Sequence, residues 1–314
     1  MEKKMKAMVI HGYGDSNVLT QEQVNIPELK PDEVLIKVHY TSVNPVDWKM
    51  RSGLLKDHMP LKFPAILGID VAGTIEKTGS DSKKFKVGDE VFCRADVSNG
   101  GSYSEYVAVN EDNVAHAPES ISLKETAALP VTAGTAWSSL FDTANLKSGQ
   151  KVLITGASGG VGIMAVQFAN KAGAYVICTT SKPNIELLKS LGADEVIDYT
   201  EGDFSLKVSN VDVVLDTVGG ETLQKAHTVL KKGGILVAIA GQPDISLAEK
   251  HGIKAIRLSV QTDGKKLGEI ARAIDEGKLK VVIYKEFPLE RIAEAHDLSE
   301  SRKAVGKIVV TVSE

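Results

Sequence analysis

The sequence predicts an α/β protein that combines a parallel sheet, covered by helices, with a mostly β domain. From about Ser122 onward, helical segments alternate with short, continuously apolar strands such as Val152–Ile154 and Val211–Leu215. Such strands are typical of parallel sheets that are buried on both faces. The preceding segment contains short apolar runs separated by turn residues, which indicates a β-rich domain.

The β-rich segment also contains two local signals. Pro45 suits the first turn of a short helix over residues 45–51, because an N–H there would have no helical partner. Asn99–Ser102 is a glycine-rich turn, and it predicts a following strand over Tyr103–Val109, whose apolar run is Tyr106–Val109. The other strands predicted here are Met5–Ile10, Val34–Val38, Gly73–Ile75 and Val87–Phe92.

The remaining segment is assigned to alternating helices and strands. A helix over Lys124–Phe141 is broken at Pro130, since proline lacks the N–H that a helix interior needs. Residues 51–62 and 242–262 are predicted to be loops. The further predicted helices are Val161–Ala172, Ile185–Leu191, Glu221–Leu230, Lys265–Gly277 and Leu289–Glu300, and the further strands are Tyr175–Cys178, Val196–Ile197, Ile235–Ala240, Val281–Phe287 and Lys307–Val312.

The composition excludes several function classes. The chain has 314 residues, with 37 basic and 41 acidic side chains and a formal net charge of −4. This balance argues against a nucleic-acid or anionic-membrane surface, which needs an excess of Lys and Arg. No apolar run approaches the roughly 20 residues of a transmembrane helix, so no membrane insertion is expected. Cys93 and Cys178 are interpreted as buried reduced thiols of a cytoplasmic protein.

The most informative motif is the glycine-rich loop of residues 156–162, which has the spacing GxxGxxG. It follows a predicted strand that ends at Thr155 and precedes a helix predicted to begin at about Gly160. Glycines permit a tight turn and the close approach of a phosphate to main-chain N–H groups, and a helix N-terminus attracts the negative charge. Gly162 permits close packing of the helix on the strand. This context predicts a dinucleotide site.

The same residues fit two other motifs. A short-chain dehydrogenase carries its TGxxxGxG motif at the start of the chain and needs a YxxxK pair downstream. Here the motif lies near the middle of the chain, and no later tyrosine is followed by Lys four residues on, so this class is excluded. A hydrolase nucleophile elbow has the pattern GxSxG, with Ser158 as the nucleophile and Asp216 and His251 or His296 following in hydrolase order. The hydrolase stays open as an alternative, as does a glycine turn with a purely structural role.

The end of the second strand of the α/β segment bears on the choice of dinucleotide. In NAD-selective folds a carboxylate about 20 residues past the glycines binds the ribose 2′-hydroxyl. Here Thr180, Ser181 and Lys182 occupy that place, and a hydroxyl beside an ammonium favours a 2′-phosphate. NADPH is therefore the predicted cofactor. The alternative is that Ser181 and Lys182 only cap the helix that starts at Pro183.

A metal site is not predicted. A structural zinc lobe needs four clustered cysteines, and a catalytic zinc needs cysteine or histidine ligands. The seven histidines show neither HxH nor HExxH spacing.

Several segments occur together in the order found in one enzyme family. They are Asn44–Gly53, Gly68–Gly73, Phe85–Phe92, Gly101–Tyr106, Ala127–Trp137, the glycine loop and Leu191–Tyr199. Over essentially its whole length the chain resembles the medium-chain dehydrogenases/reductases, in their zinc-free quinone oxidoreductase branch. This resemblance implies a GroES-like catalytic domain at residues 1–121, a Rossmann-type doubly wound domain at 122–262, and a return to the catalytic domain at 263–314.

The resemblance also implies roles for individual residues. Zinc relatives have a cysteine at the position of Asn44 and a His-Glu pair at Ile69-Asp70, so the ligand positions are changed here. Leu55 stands where many bacterial relatives have a tyrosine. The resemblance implies that Asn44 and Thr135 contact the nicotinamide and that Ala240 and Gly241 contact the nicotinamide ribose. The implied pyrophosphate contacts are Ser158, Gly159, Gly160, Val161 and Gly162. Thr180, Ser181 and Lys182 would contact the 2′-phosphate, Tyr199 would lie on the adenine side, and Val218 is a further implied cofactor contact.

The reaction expected from this resemblance is hydride transfer from NADPH to a quinone or to the β-carbon of an α,β-unsaturated carbonyl. Hydrogen bonds would stabilise the developing oxyanion, and the cleft between the domains would hold both reactants. Asn44 and Asp47 are the predicted catalytic residues, although Asp47 is equally interpreted as the cap of the short helix. A homodimer is expected by analogy. The alternative function is an NADPH-binding sensor or interaction protein with little turnover.

Overall fold

The structure is a computed structural model that describes residues 3–260, 263–277 and 279–313. By their contacts the residues form two units. The first contains Met1–Val131, Thr262–Lys278 and Val282–Glu314, and the second contains Thr132–Gln261 and Leu279–Val281. The domain bounds at residues 121 and 262 stay a prediction. Within the described residues, no helix is long and apolar enough to cross a bilayer.

Strands and helices are numbered along the chain. The strands are β1 (Lys4–Ile10), β2 (Thr20–Asn25), β3 (Glu33–Val43), β4 (Ala65–Ile66), β5 (Asp70–Thr78), β6 (Glu90–Arg94), β7 (Tyr106–Asn110), β8 (Val114–His116), β9 (Lys151–Thr155), β10 (Tyr175–Thr180), β11 (Glu195–Asp198), β12 (Val211–Asp216), β13 (Leu230–Ala238), β14 (Lys254–Arg257), β15 (Ile283–Pro288) and β16 (Lys307–Thr311). The helices are α1 (Pro45–Arg51), α2 (Leu123–Thr126), α3 (Pro130–Trp137), α4 (Gly160–Lys171), α5 (Ile185–Ser190), α6 (Gly220–Val229), α7 (Ile245–His251), α8 (Gly264–Gly277) and α9 (Ile292–Glu300).

The first unit is built on two mainly antiparallel sheets. One sheet has the order β15-β16-β3-β5-β6-β8, with β7 also paired to β3, and the other has the order β2-β1-β4. The C-terminal strand β16 runs antiparallel to β3, so that Ile308 lies opposite Val43. Buried side chains such as Met50, Leu67 and Tyr103 form the core beside this sheet. The pairing brings the end of the chain next to the start of α1.

The second unit contains a parallel sheet of the order β11-β10-β9-β12-β13-β14. The order reverses between β9 and β12, which is the arrangement of doubly wound dinucleotide-binding folds, whose ligands bind at this reversal. Leu153, Val214 and Leu236 of three adjacent strands belong to its apolar core. The predicted α/β class, with a parallel sheet and a β-rich domain, is confirmed.

Several local predictions were wrong in extent, and three of them have a physical reason. The strand predicted at Tyr103 begins at Tyr106, because Tyr103 is fixed in the core by backbone bonds to Leu67 and Met8. The predicted loop 242–262 contains α7 and β14. The edge strand β14 is half-exposed, so it lacks the continuous apolar run by which buried strands are recognised. The strand predicted over Ile235–Ala240 is β13, which starts five residues earlier and ends at Ala238.

Candidate active site

The glycine loop joins β9 to α4 as predicted, and sterics explain two of its glycines. Gly156 has a φ of 62°, a conformation that side chains disfavour. A Cβ on Gly162 would lie 2.5 Å from the Cα of Ala157, so the helix packs against its own loop through this position. At Gly159 the nearest atom to an added Cβ is 3.4 Å away. Gly156 and Gly162 therefore shape the loop, whereas Gly159 leaves space above it.

The N-terminus of α4 suits an anion. The helix has 12 residues and begins at Gly160, with Gly159 as an N-cap that has no side chain to bond the first N–H groups. Its macrodipole and these main-chain donors favour a phosphate at this end. Ser158, Gly160 and Val161 are half-buried, and Gly162 is buried. The loop thus fits a pyrophosphate both in shape and in charge.

The loops after β9, β12 and β13 approach one another beside this helix. An added Cβ on Gly156 would lie 2.8 Å from Cγ2 of Val218. A Cβ added to Gly219 would lie 2.8 Å from the carbonyl oxygen of Ala240. The structure therefore brings Val218 to the glycine loop and Ala240 to Gly219, the residue after Val218, at the carboxyl ends of the strands where such folds bind nucleotides.

The end of β10 carries the residues predicted to bind a 2′-phosphate. Thr180 is buried, and its hydroxyl has no hydrogen-bond partner in the described part of the chain. Ser181 makes no capping bond to the turn that follows and instead accepts a hydrogen bond from Asn184 Nδ2 at 3.2 Å. Lys182 is exposed, with its Nζ 3.9 Å from Glu201 Oε1. A cation and an unpaired hydroxyl are thus present in this segment.

Two further predicted cofactor residues lie in different environments. Tyr199 follows β11, and 56% of its surface is exposed, so it is not a core residue. The neighbouring Asp198 accepts hydrogen bonds from Thr200, and these bonds hold the pKa of its carboxyl below the usual value. Thr135 lies in α3 of the second unit and is buried.

In the first unit, Asn44 belongs to a buried polar cluster. Its Nδ2 donates to Asp70 Oδ2 at 2.7 Å, and its Oδ1 accepts from Lys307 Nζ at 2.7 Å. Asp70 also accepts from Lys307 at 3.2 Å, from the Ser42 hydroxyl and from the Val131 N–H at 2.9 Å. The charged groups Lys307 and Asp70 are thus paired and hydrogen-bonded, as a buried ion pair requires.

Asp47 lies one helical turn after Asn44 and is fully buried. The Asn44 N–H donates to Asp47 Oδ2 at 2.7 Å, so Asp47 does stabilise the start of α1. The Tyr103 hydroxyl donates to the same oxygen at 3.2 Å, whereas Oδ1 has no partner among the described residues. Burial, aided by the charge of Asp70, raises the pKa of Asp47 to about 7.

A series of buried hydrogen bonds connects Arg51 to Asp47 through the side chains of His296 and Tyr103. Arg51 donates from Nη1 to His296 Nδ1 at 3.3 Å and from Nη2 to Glu300 at 3.0 Å. His296 Nε2 lies 3.0 Å from the Tyr103 hydroxyl. Burial, together with the charge of Arg51, lowers the pKa of His296 to about 3. A neutral His296 that accepts at Nδ1 donates at Nε2, so the hydrogen bonds run in one direction towards Asp47.

The hydrolase arrangement is not assembled. Asp216 accepts from the Thr155 hydroxyl and the Gly219 N–H, each at 2.7 Å, and within the described ranges it has no hydrogen bond to a histidine. His296, one of the two histidines proposed for it, is bonded to Tyr103 and Arg51 in the first unit. Ser158 and Asp216 therefore lack the base that a catalytic triad requires.

Comparisons with known proteins agree with this geometry. Residues 30–119 match the alcohol dehydrogenase GroES-like domain, and residues 191–310 match a family described as zinc-binding dehydrogenase. The mouse mitochondrial NAD(P)H oxidoreductase RTN4IP1 is 38% identical, with 98% of this chain and 89% of that protein covered. The chain belongs to the medium-chain dehydrogenases/reductases, in the zinc-free quinone oxidoreductase branch.

Other members of the family are equally similar. The chloroplastic NADPH-dependent alkenal/one oxidoreductase of Arabidopsis thaliana is 37% identical over 98% of this chain and 80% of its own length. The quinone oxidoreductase from Coxiella burnetii has a TM-score of 0.90 and 34% identity, covering 99% of this chain and 100% of its own. The ordered segments of the sequence therefore predicted the family correctly.

The zinc of some family members does not fit this chain. Asn44 occupies a ligand position, and its Oδ1 faces the ammonium of Lys307. Ile69, at a second position, has no donor atom. In the described ranges no group of three or more His, Cys, Asp or Glu residues could hold a metal ion. The free cysteines Cys93 and Cys178 are buried, which raises the pKa of both thiols.

Sequence reasoning missed the partners of the predicted residues in the first unit. Lys307, Tyr103, Arg51 and His296 complete the two buried networks, yet no motif marked them as polar contacts. Arg51 and Lys307 were the detectable signals, since a charged residue among apolar core neighbours needs a partner.

Proposed function

We propose that the protein is a zinc-independent, NADPH-dependent oxidoreductase that transfers hydride to a quinone or to the β-carbon of an α,β-unsaturated carbonyl. The observation that carries this proposal is the glycine loop, where Gly162 permits the N-terminus of α4 to pack against Ala157 and where the N-cap Gly159 makes no side-chain bond to the first N–H groups. The names of the Coxiella and Arabidopsis relatives support the two acceptor classes.

The proposed cofactor contacts follow the arrangement of the second unit. The segment of Ser158, Gly159, Gly160, Val161 and Gly162 binds the pyrophosphate through its main-chain N–H groups, except that of Gly159, which donates to the Gly156 carbonyl at 3.1 Å. Thr180, Ser181 and Lys182 bind the 2′-phosphate, and the Thr180 hydroxyl, which has no partner in the described part of the chain, supports this assignment. Exposed Tyr199 packs on the adenine side, Val218 and the Ala240-Gly241 segment contact the nicotinamide ribose, and Thr135 and Asn44 contact the nicotinamide.

When bound, NADPH supplies the hydride, and the protein contributes hydrogen bonds and a proton. Asn44 has an amide N–H donor held in a buried cluster, which suits stabilisation of a developing oxyanion. Asp47 has a pKa of about 7 and an oxygen without a partner in the described structure. It therefore exists in both protonation states near neutral pH, as a proton-donating group must. Its capping of α1 is compatible with this role.

The test is reduced-nicotinamide absorbance of purified protein with NADPH and a panel of quinones and enals. We expect consumption of NADPH that depends on the acceptor. Binding of NADPH without turnover for every acceptor supports the sensor alternative instead. Ester cleavage without cofactor that is lost in Ser158→Ala would support the hydrolase.

We also propose a cytoplasmic homodimer whose catalytic domain comprises residues 1–121 and 263–314. The two free, buried thiols support a reducing compartment. Many oligomers of such enzymes are two-fold symmetric. Sedimentation equilibrium tests the dimer, since a mass near 33.6 kDa would indicate a monomer.

A further inference from the structure

The buried ammonium of Lys307 lies where the last strand of the chain passes the start of α1. Lys307 is the first residue of β16, and its successor Ile308 lies opposite Val43 at the end of β3. Asn44 follows directly. Only 6% of Lys307 is exposed, so the pairing of β16 with β3 holds its charge in the core.

The three N–H groups of the ammonium each have an acceptor. Nζ donates to Asn44 Oδ1 at 2.7 Å, to the Val43 carbonyl at 3.0 Å and to Asp70 Oδ2 at 3.2 Å. A lysine ammonium has three donors and no acceptor capacity. Lys307 is therefore fully satisfied inside the cluster, and its shortest bond goes to the side chain of Asn44.

These bonds determine which way the Asn44 amide faces. Its oxygen accepts from the Lys307 ammonium, and its nitrogen donates to the Asp70 carboxylate at 2.7 Å. Rotating the amide by half a turn would place NH₂ against the ammonium and the carbonyl oxygen against the carboxylate, which loses both bonds. An amide has two N–H groups, and Asp70 uses one of them. Among the described residues Asp70 is the acceptor bonded to this nitrogen, so the group that Asn44 can offer to a ligand is its second N–H, a donor.

We propose that Lys307 is a positioning residue that fixes the Asn44 side chain as a hydrogen-bond donor for the hydride-transfer reaction. This inference rests on the proposed function, in which Asn44 contacts the nicotinamide and the reacting oxygen. A cation at the carbonyl end polarises the amide and strengthens its N–H groups as donors. Donors of fixed direction stabilise a developing oxyanion without reorganising during the reaction.

The test is a double-mutant cycle between Lys307→Met and Asn44→Ala. Because Lys307→Met leaves the Asp70 carboxylate without its cation, the variant is also made as Lys307→Met/Asp70→Asn, in which neither charge is buried alone. We expect Lys307→Met to lower kcat about 10-fold, less than the roughly 10²–10³-fold cost of removing an oxyanion donor, because the Asn44 amide is still present. With Asn44→Ala already present, Lys307→Met should cost less than about 2-fold, because coupled residues are not additive.

Two further measurements separate positioning from general stability. The side-chain amide protons of Asn44, followed by NMR with labelled asparagine, should exchange about 10-fold faster in Lys307→Met, as for the loss of one hydrogen bond. Lys307→Arg keeps a cation and should restore part of kcat. The exposed Lys303→Met, in the same C-terminal segment, should leave kcat and amide exchange unchanged.

Multiplicative, independent losses from Lys307→Met and Asn44→Ala would overturn the inference, as would unchanged exchange of the Asn44 amide. Both results are distinguishable from failure of the proposed function. That failure appears as wild-type protein that does not oxidise NADPH with any acceptor, while the NMR experiment still reports the orientation of Asn44.

Discussion

The glycine loop of the second unit and the Asn44 cluster of the first unit are built in different ways. The loop uses main-chain N–H groups of consecutive residues, and its constraints are steric, as at Gly162. The cluster uses side chains from three separate segments, which contribute Asn44, Asp70 and Lys307. A site made from local backbone leaves a contiguous motif in the sequence, whereas a site assembled by strand pairing leaves only isolated charged residues whose partners the sequence does not identify.

The two sites also differ in what a substitution removes. In the loop, a side chain added at Gly162 meets backbone that cannot move away, so the shape of the site changes. In the cluster, removal of one partner leaves another buried group without a hydrogen bond, so the cost is electrostatic.

Gly162→Ala should cause the largest loss. The added Cβ meets backbone of Ala157 at 2.5 Å, so we expect the free energy of unfolding to fall by about 1–3 kcal/mol through overpacking. NADPH affinity should fall about 100-fold, because the loop and the first turn of α4 separate. Calorimetric titration and urea unfolding measure the two effects. Gly268→Ala, which has open space around its Cβ in α8, is the control: it should leave NADPH affinity unchanged and raise the free energy of unfolding by up to about 1 kcal/mol, the opposite sign.

Lys182→Ala should reduce the preference for NADPH over NADH. A charge-assisted bond to the 2′-phosphate is expected to contribute about 10-fold to NADPH affinity and nothing to NADH affinity. Lys189→Ala, on the exposed side of α5 where Lys189 pairs with Glu186, is the matched control. Equal affinity of the wild type for both cofactors would contradict the assignment of the Thr180–Lys182 segment.

The Asp47 network predicts pH effects of opposite sign for two variants. The pKa of Asp47 is raised from 3.8 to about 7, so this carboxyl favours the folded state at low pH and that stability is lost as pH rises through 7. The pKa of His296 is lowered from 6.5 to about 3, so its contribution is present above 6.5 and is lost as pH falls towards 3.

Relative to the wild type, Asp47→Asn should therefore become more stable as the pH rises from about 4 to 7. His296→Gln should become less stable, relative to the wild type, as the pH rises from about 3 to 6.5. The slopes should reach at most about 1.4 kcal/mol per pH unit, the value for one proton. Urea unfolding across this range measures them. If the stability differences of the two variants changed with pH in the same direction, the raised pKa of Asp47 or the lowered pKa of His296 would be contradicted.

Glu201→Gln should have the smallest effect. Its carboxylate lies 3.9 Å from Lys182 Nζ, and both side chains are exposed. Removing the competing negative charge should raise NADPH affinity about 2-fold at low salt, as for a weak surface pair, and leave NADH affinity unchanged. Glu186→Gln on α5 is the control. A fall in NADPH affinity would show instead that Glu201 binds the cofactor.

Sequence reasoning predicted most of the fold and the whole of the glycine loop. The continuous apolar strands around Leu153 and Val214 identified the parallel sheet, because burial on both faces dictates such runs. The half-exposed strand Lys254–Arg257 was missed, since its position at the sheet edge removes that constraint. Lys307 was assigned to a strand, but only the pairing of β16 with β3 reveals its contact with Asn44.

Two interpretations of Asp47 were equally open from the sequence, and the structure accommodates both. Spacing alone shows that an acidic residue at the third helical position can cap α1. It does not show that Tyr103 approaches from a distant segment or that one carboxyl oxygen is left without a partner in the described structure. Those features depend on packing of the core, which no local pattern encodes.

A crystal structure of the protein with bound NADP⁺ would show where the dinucleotide lies. We predict that the pyrophosphate contacts N–H groups within residues 158–162, at the N-terminus of α4, and that the 2′-phosphate contacts Ser181 and Lys182. A dinucleotide bound elsewhere on the chain, with the N-terminus of α4 free of phosphate, would contradict this account.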